Sequence, residues 1–456
     1  MSITLSRRHL LASAAALAAA PGANAETLPL PLTAMRRTIE VLGRAASVFG
    51  LEGPAGPGLV LEPGQRFQVE LRNRTGKPTI VHWHGQTPPA DQDGVTETGL
   101  AAPLADGATA RYDFPARPGT HWMHAHHGLQ EQALLAAPLV VRTTDDLRAD
   151  LQEATVLLHD FSFRPPEEVL AIVTRGMATG HGGHGMAMDL NDFDHDAYLA
   201  NDRTLADPLV VRAERGGRVR LRLINGATGT AFWIDTGALE GRLVAVDGNP
   251  IAPLALRRLP LAQGQCADLV LTLPPGGGAF PILAQREGDR QRTGLILATP
   301  GAAIGRVPNL ADAAAPPVDL SLERRITSPG TPRPAAAQLR LTLTGTMHPY
   351  TWTLDDRPWE HRRTLRVRAG QRVEVEMVNR SPMAHPMHLH GHHFQVVAID
   401  GRRLPGAVRD TVLVPAGGRV AIAFDADNPG RWLFHCHNLF HMAAGMMTEL
   451  AYDTTA

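Results

Sequence analysis

Three stretches of this 456-residue chain share one pattern. Residues 64–73, 216–225 and 370–379 each start at a Gly turn, alternate apolar with charged side chains, and end in Asn (Asn73, Asn225, Asn379). A period of two after a turn is the signature of a half-buried strand. Three such strands at nearly equal separation imply one β-sandwich unit repeated in tandem. The 44 Gly and 36 Pro support many turns between short strands. The expected units are residues 26–146, 147–300 and 338–456, with the Ala/Pro-rich stretch 301–337 as a linker.

A second repeat joins the first and third units. Pro118-Gly119 is followed after four residues by His124-Ala125-His126, and Pro429-Gly430 after four residues by His435-Cys436-His437. His82-Trp83-His84-Gly85 likewise matches His388-Leu389-His390-Gly391. The middle unit has the turn, at Pro274-Pro275-Gly276, but no paired histidines after it, and is expected to act as a spacer.

Residues i and i+2 of a strand face the same side, so each His-x-His can direct two imidazoles at one metal cluster. In His435-Cys436-His437 the thiol points the other way. A metal on that sulfur would be joined to metals on the flanking imidazoles by a short covalent path. Cys436, His385 and His441, with Met446 as a weak axial thioether, form a blue-copper ligand set. Zinc favours Cys pairs or three His plus water and has no redox chemistry, so it does not explain the remaining paired histidines.

These residues resemble the multicopper oxidases. The stretch from His435 to Met446 fits that family's His-Cys-His-x3-His signature at every position, and the likeness spans essentially the whole chain after residue 25. The resemblance implies an all-β chain of three tandem cupredoxin-like Greek-key sandwiches holding four copper ions. His385, Cys436, His441 and Met446 would hold a type 1 copper. His82 and His388 would hold the type 2 ion. His84, His124 and His437 would hold one type 3 ion, and His126, His390 and His435 the other. Ala125 stands where the third unit has Cys436, so the first unit has no blue site of its own. The family implies one-electron oxidation of a small reductant, with O2 reduced to water at the trinuclear cluster. Asp93, a few residues after the first His-x-His, matches the family's proton-relay carboxylate. Met442 occupies the place where some relatives carry a second. Axial Met446 implies a lower potential than Leu or Phe would give.

Two donors compete. Cu(I) is favoured by the thioethers and imidazoles of the stretch 177–188 (Met177, His181, His184, Met186, Met188) and by Met383. Phenols and aromatic amines are favoured by Ser381 at a place where copper efflux oxidases carry an acid, and by the lack of a Met-rich insert before the final motif. A copper storage protein without turnover is the alternative from another class; a thiolate wire would be superfluous there. Copper nitrite reductases, with two domains and an intersubunit site, fit poorly.

Ser6-Arg7-Arg8-His9-Leu10-Leu11, an Ala/Leu run and Ala23-Asn24-Ala25 read as a cleavable twin-arginine export signal over residues 1–25. The expected location is the periplasm, and the expected state a monomer with no membrane span. A net charge of −1 without basic blocks gives no reason to expect nucleic acid or an anionic membrane as partner. Cys266 reads as a small buried hydrophobe. His121, His127, His392 and His393 flank the motifs and read as packing or hydrogen-bonding groups.

Overall fold

A computed structural model describes residues 28–175, 190–330 and 333–453. The export signal and the Gly/His/Met stretch 177–188 lie outside the described residues. The architecture is all-β, and the described residues form six sheets that fall into three successive pairs. Five- and four-stranded sheets cover Leu30–Val141, six- and five-stranded sheets cover Gln152–Ala298, and seven- and five-stranded sheets cover Ala337–Tyr452. Among the described residues no helix is long and apolar enough to cross a membrane.

The three repeated stretches occupy equivalent places. Phe67–Arg74, Arg218–Asn225 and Arg372–Asn379 each pair in parallel with the first long strand of their unit: Leu30–Val41, Gln152–Phe161 and Ala337–Thr346. Their alternation is visible as alternating burial in the first and third units. The Asn closing each repeat is buried and pins the chain that follows. Asn73 donates to the carbonyls of Lys77 and Leu104, Asn225 to those of Thr230 and Leu261, and Asn379 to those of Met383 and Val414. Each carboxamide oxygen accepts from the backbone two residues on, at Thr75, Ala227 and Ser381. A buried amide satisfied on both sides fixes one loop conformation. In the third unit that loop leads directly into His385.

Buried arginines join the units. Arg222 of the second unit donates to Thr120 of the first and pairs with Asp268 at 3.0 Å. Arg409 of the third bridges Asp247 of the second (3.1 Å) and Glu323 of the connecting stretch (2.7 Å). That stretch is more than a tether. Leu320, Leu322 and Ile326 are buried in it, because Ala/Pro composition spaces apolar anchors without forming a sheet.

Candidate metal centre

The paired histidines stand at strand ends, where a side chain is positioned by the ladder but the next residue can leave the sheet. His82 ends Val81–His82 and pairs with His124 of Gly119–Ala125. His388 lies in His385–Leu389, opposite His435 of Arg431–Cys436. His84, His126, His390 and His437 follow just past these strands. Gly85 and Gly391, which close the two His-x-His motifs, have φ of +82° and +66°. A Cβ would lie 2.3 Å from His121 Nδ1 at Gly85 and 2.3 Å from the Trp432 ring at Gly391. Both positions therefore require glycine.

Ligand atoms of His84, His124 and His437 lie within 4.8 Å of one another, as do those of His126, His390 and His435. His82 and His388 come together with His84 in the same way, and His385, Cys436 and His441 form a separate group. In that group His385 Nδ1 is 3.5 Å and His441 Nδ1 3.6 Å from Cys436 Sγ. Met446 is buried beside them, and its carbonyl accepts from the Cys436 N–H at 3.1 Å. Every histidine of the four motifs is buried.

Hydrogen bonds on the far side of several rings indicate which nitrogen faces inward. His82 and His388 donate from Nδ1 to the carbonyls of Asp93 and Asp410, both at 2.9 Å. His435 Nδ1 donates to Cys436 O at 2.9 Å, and His390 Nδ1 to Asp93 Oδ2 at 2.8 Å. His84 is reversed, donating from Nε2 to Asp410 Oδ1 at 3.1 Å. The opposite nitrogens of His82, His84, His124 and His388, Nε2 of His126 and both nitrogens of His437 are buried with no protein partner. Orphaned acceptors converging in one place are what a metal ion satisfies, and a partner on the outer nitrogen is the usual means of orienting an imidazole ligand.

Electrostatics point the same way. Burial, followed by mutual repulsion among the rings, holds His84, His124, His388, His390 and His435 well below the ordinary imidazole pKa, and lowers His437 to about 3. These six rings are therefore neutral and able to donate lone pairs, whereas at His126 the neighbouring Glu97 carboxylate outweighs burial and raises the pKa. Burial pushes the Cys436 thiol up, so without a cation to stabilise it the thiolate would not form. The donor set of one sulfur, many imidazoles and a buried thioether fits copper.

Four carboxylates surround the imidazoles, of which the sequence pointed only to Asp93. Asp93, from the first unit, holds His390 of the third; Asp410, from the third, holds His84 of the first. This exchange ties the two halves of the cluster across the interface. Glu131 sits 2.7 Å from His124 Nδ1, and burial raises its pKa to about 7. Glu97 lies 3.5 Å from His126 Nδ1; burial acts to raise its pKa, but the His126 charge outweighs this and holds it near 2. Glu131 lies five residues after His126, and Glu97 four residues after Asp93. Asp410 sits between the strands Val408–Arg409 and Thr411–Val414, away from every motif, and left no local signal.

Asp192 is the other residue the sequence did not mark. Its Oδ1 is 3.3 Å from His441 Nε2 and accepts from Tyr350 at 2.9 Å, while Oδ2 accepts from Asn438 at 2.7 Å. Ser381 makes the matching contact on the other ring, 2.6 Å from His385 Nε2. Burial opposes ionisation of Asp192, but His441, Asn438 and Tyr350 together hold its pKa below the usual carboxylate range. The middle unit carries none of the histidine motifs, yet it supplies this charge. It also packs Gly264 so closely on His437 that a Cβ would lie 2.8 Å from the ring. It is thus more than a spacer. Of the flanking histidines, His121, His392 and His393 bond to Pro118 O, Tyr452 and Gly85 O. Cys266 is a buried free cysteine.

Multicopper oxidase family models match residues 34–146, 155–305 and 332–456. The multicopper oxidase MmcO of Mycobacterium tuberculosis is 33% identical over 416 residues, 87% of this chain and 81% of that one. A copper resistance protein A homolog of Pseudomonas syringae pv. tomato is 24% identical, covering 92% of each chain. In fold, the chain is similar to a laccase from Botrytis aclada, with a TM-score of 0.76 at 21% identity over 92% of this chain and 87% of that one. The chain belongs to the multicopper oxidase family, and it is a copper-dependent oxidase that uses O2 as acceptor and a reducing substrate as donor.

Proposed function

We propose that the chain holds four copper ions. His385, Cys436, His441 and Met446 take the type 1 ion, and His82 with His388 take the type 2 ion. His84, His124 and His437 take one type 3 ion, and His126, His390 and His435 the other. The support is the convergence of residues far apart in sequence into these groups, with inward nitrogens of His82, His84, His124, His126, His388 and His437 unsatisfied. Bound copper supplies one-electron oxidation at the thiolate and four-electron reduction of O2 to water at the imidazole cluster. Cys436 joins the two places covalently, through the backbone to His435 and His437. Asp93 orients His390 through Oδ2 and has in Oδ1 an oxygen without a hydrogen bond, where a proton can be held for delivery.

His385 and His441 are both buried, so a donor does not touch their rings. A cavity of about 230 Å³ lies beside them, lined by Leu190, Glu287, Met383, Ala384, Leu413 and Asn438. Asn438 reaches from there to Asp192, and Ala384 precedes His385. The donor docks in this cavity. The Met383 thioether suits Cu(I), and the size suits a single-ring phenol or aromatic amine. Relatives named copper resistance protein and laccase accord with both. The chain works in the periplasm after twin-arginine export, as a monomer. The test is O2 uptake by copper-loaded protein with Cu(I) and with a phenol, with and without residues 177–188. Uptake with either donor is expected. Copper binding without O2 uptake would leave only a storage role, and Cu(I) oxidation unchanged by the deletion would remove that stretch from substrate handling.

A further inference from the structure

One groove among the described residues has no part in the metal centre. It measures about 720 Å³ and runs between the first and second units, within the range of small-molecule sites. Its walls carry four cationic side chains, Arg36, Arg44, Lys77 and Arg164, against one carboxylate, Glu167. The whole chain has a net charge of −1, so this concentration of positive charge is local.

The cations are held without being neutralised. Arg44 lies over the Phe163 ring at 3.8 Å, and Arg36 over Phe49 at 5.2 Å. Among the described residues neither guanidinium forms an ion pair, nor does the Lys77 ammonium; Arg164 pairs with Glu168. A guanidinium stacked on a ring keeps its in-plane N–H donors available to an anion.

We propose that this groove binds an aromatic carboxylate. The carboxylate pairs with the unpartnered cations, and the ring lies along the apolar wall of Phe161, Phe163 and Pro165. A small inorganic anion would leave that wall unused, and a neutral ring would leave the cations unpaired. None of the metal-centre histidines lines the groove, so occupancy is separate from electron entry.

Calorimetric titration of copper-loaded full-length protein with 2-naphthoate tests this. Saturable binding with one site per chain is expected. The double variant Arg44→Ala/Lys77→Ala should bind at least tenfold more weakly, and 2-naphthamide should bind the wild type at least tenfold more weakly than the acid. Both substituted side chains are exposed, and O2 uptake should be unchanged, which shows the variant is folded. Arg72→Ala, an exposed arginine outside the groove, should bind 2-naphthoate like wild type. Equal affinity in the double variant, or no binding at all, would overturn the proposal. Inorganic phosphate binding as tightly as 2-naphthoate would overturn the aromatic part of it.

Discussion

Asp192→Asn removes one buried negative charge from the outer edge of His441 while nearly preserving its shape. The charge is present in the native protein, because His441, Asn438 and Tyr350 outweigh burial and keep the carboxyl ionised. Oδ1 lies 3.3 Å from His441 Nε2. The imidazole adds about 2 Å to Nδ1, giving a separation of roughly 5.5 Å; at an effective dielectric of about 20, a unit charge there is stabilised by about 3 kcal/mol. For a one-electron couple, about 59 mV corresponds to about 1.4 kcal/mol, so the ceiling is about 130 mV. Asn can still accept from Tyr350 and His441 through its oxygen, and loses only the hydrogen bond from Asn438, whose NH2 would face the new amide NH2. Removing a negative charge favours the reduced metal, so the type 1 potential should rise, by about 50 to 130 mV. Redox titration followed through the thiolate-to-copper absorption band measures it. Tyr350→Phe, which loses one hydrogen bond but keeps the charge, should shift the potential by less than half as much. A potential that is unchanged or lower in Asp192→Asn would refute the assignment of an electrostatic role to this carboxylate.

Two further outcomes follow from the packing. Asn379→Ala removes two donated hydrogen bonds to the carbonyls of Met383 and Val414 and should cost about 2 to 4 kcal/mol by thermal unfolding. Because its loop leads to His385, it should also weaken the blue absorption, whereas Asn225→Ala in the middle unit should affect stability alone. Burial raises the Glu287 pKa to about 7, against the stabilising hydrogen bond from the Val318 N–H. Below about pH 4.5 the group is neutral folded or unfolded; as pH rises through 7 the folded state is penalised by about 3 kcal/mol relative to acid conditions. Glu287→Gln keeps an acceptor for Val318, so it should match wild type near pH 4 and be more stable at pH 8. A difference between the two proteins that does not change with pH would contradict this.

Much of this was legible along the chain. The period-two stretches marked the parallel strand at the heart of each unit, since alternation is a local consequence of one face being buried. The histidine motifs were legible because strand geometry turns i and i+2 the same way, and the Cys between two histidines is rare enough to carry meaning alone. What could not be read was set by contacts across the chain. Asp192 and Asp410 meet their imidazoles from segments about 250 and 325 residues away, and an isolated aspartate has no periodicity to betray its partner. The role of Asn73, Asn225 and Asn379 was also hidden. The repeat displayed these residues, but only the loop carbonyls they hold reveal why an amide is needed there. The stretch 301–337 looked like a tether because its composition is poor in strand formers, yet its few apolar residues are anchored in the core.

The decisive measurement is copper content together with visible absorption, made on fully loaded wild type and on Cys436→Ser. Four ions per chain and a blue thiolate band are expected in the wild type, matching the ligand groups. Three ions, no blue band and no donor-driven O2 uptake are expected in the variant. Equal copper content in both proteins, or a blue band that survives loss of the sulfur, would contradict the central assignment.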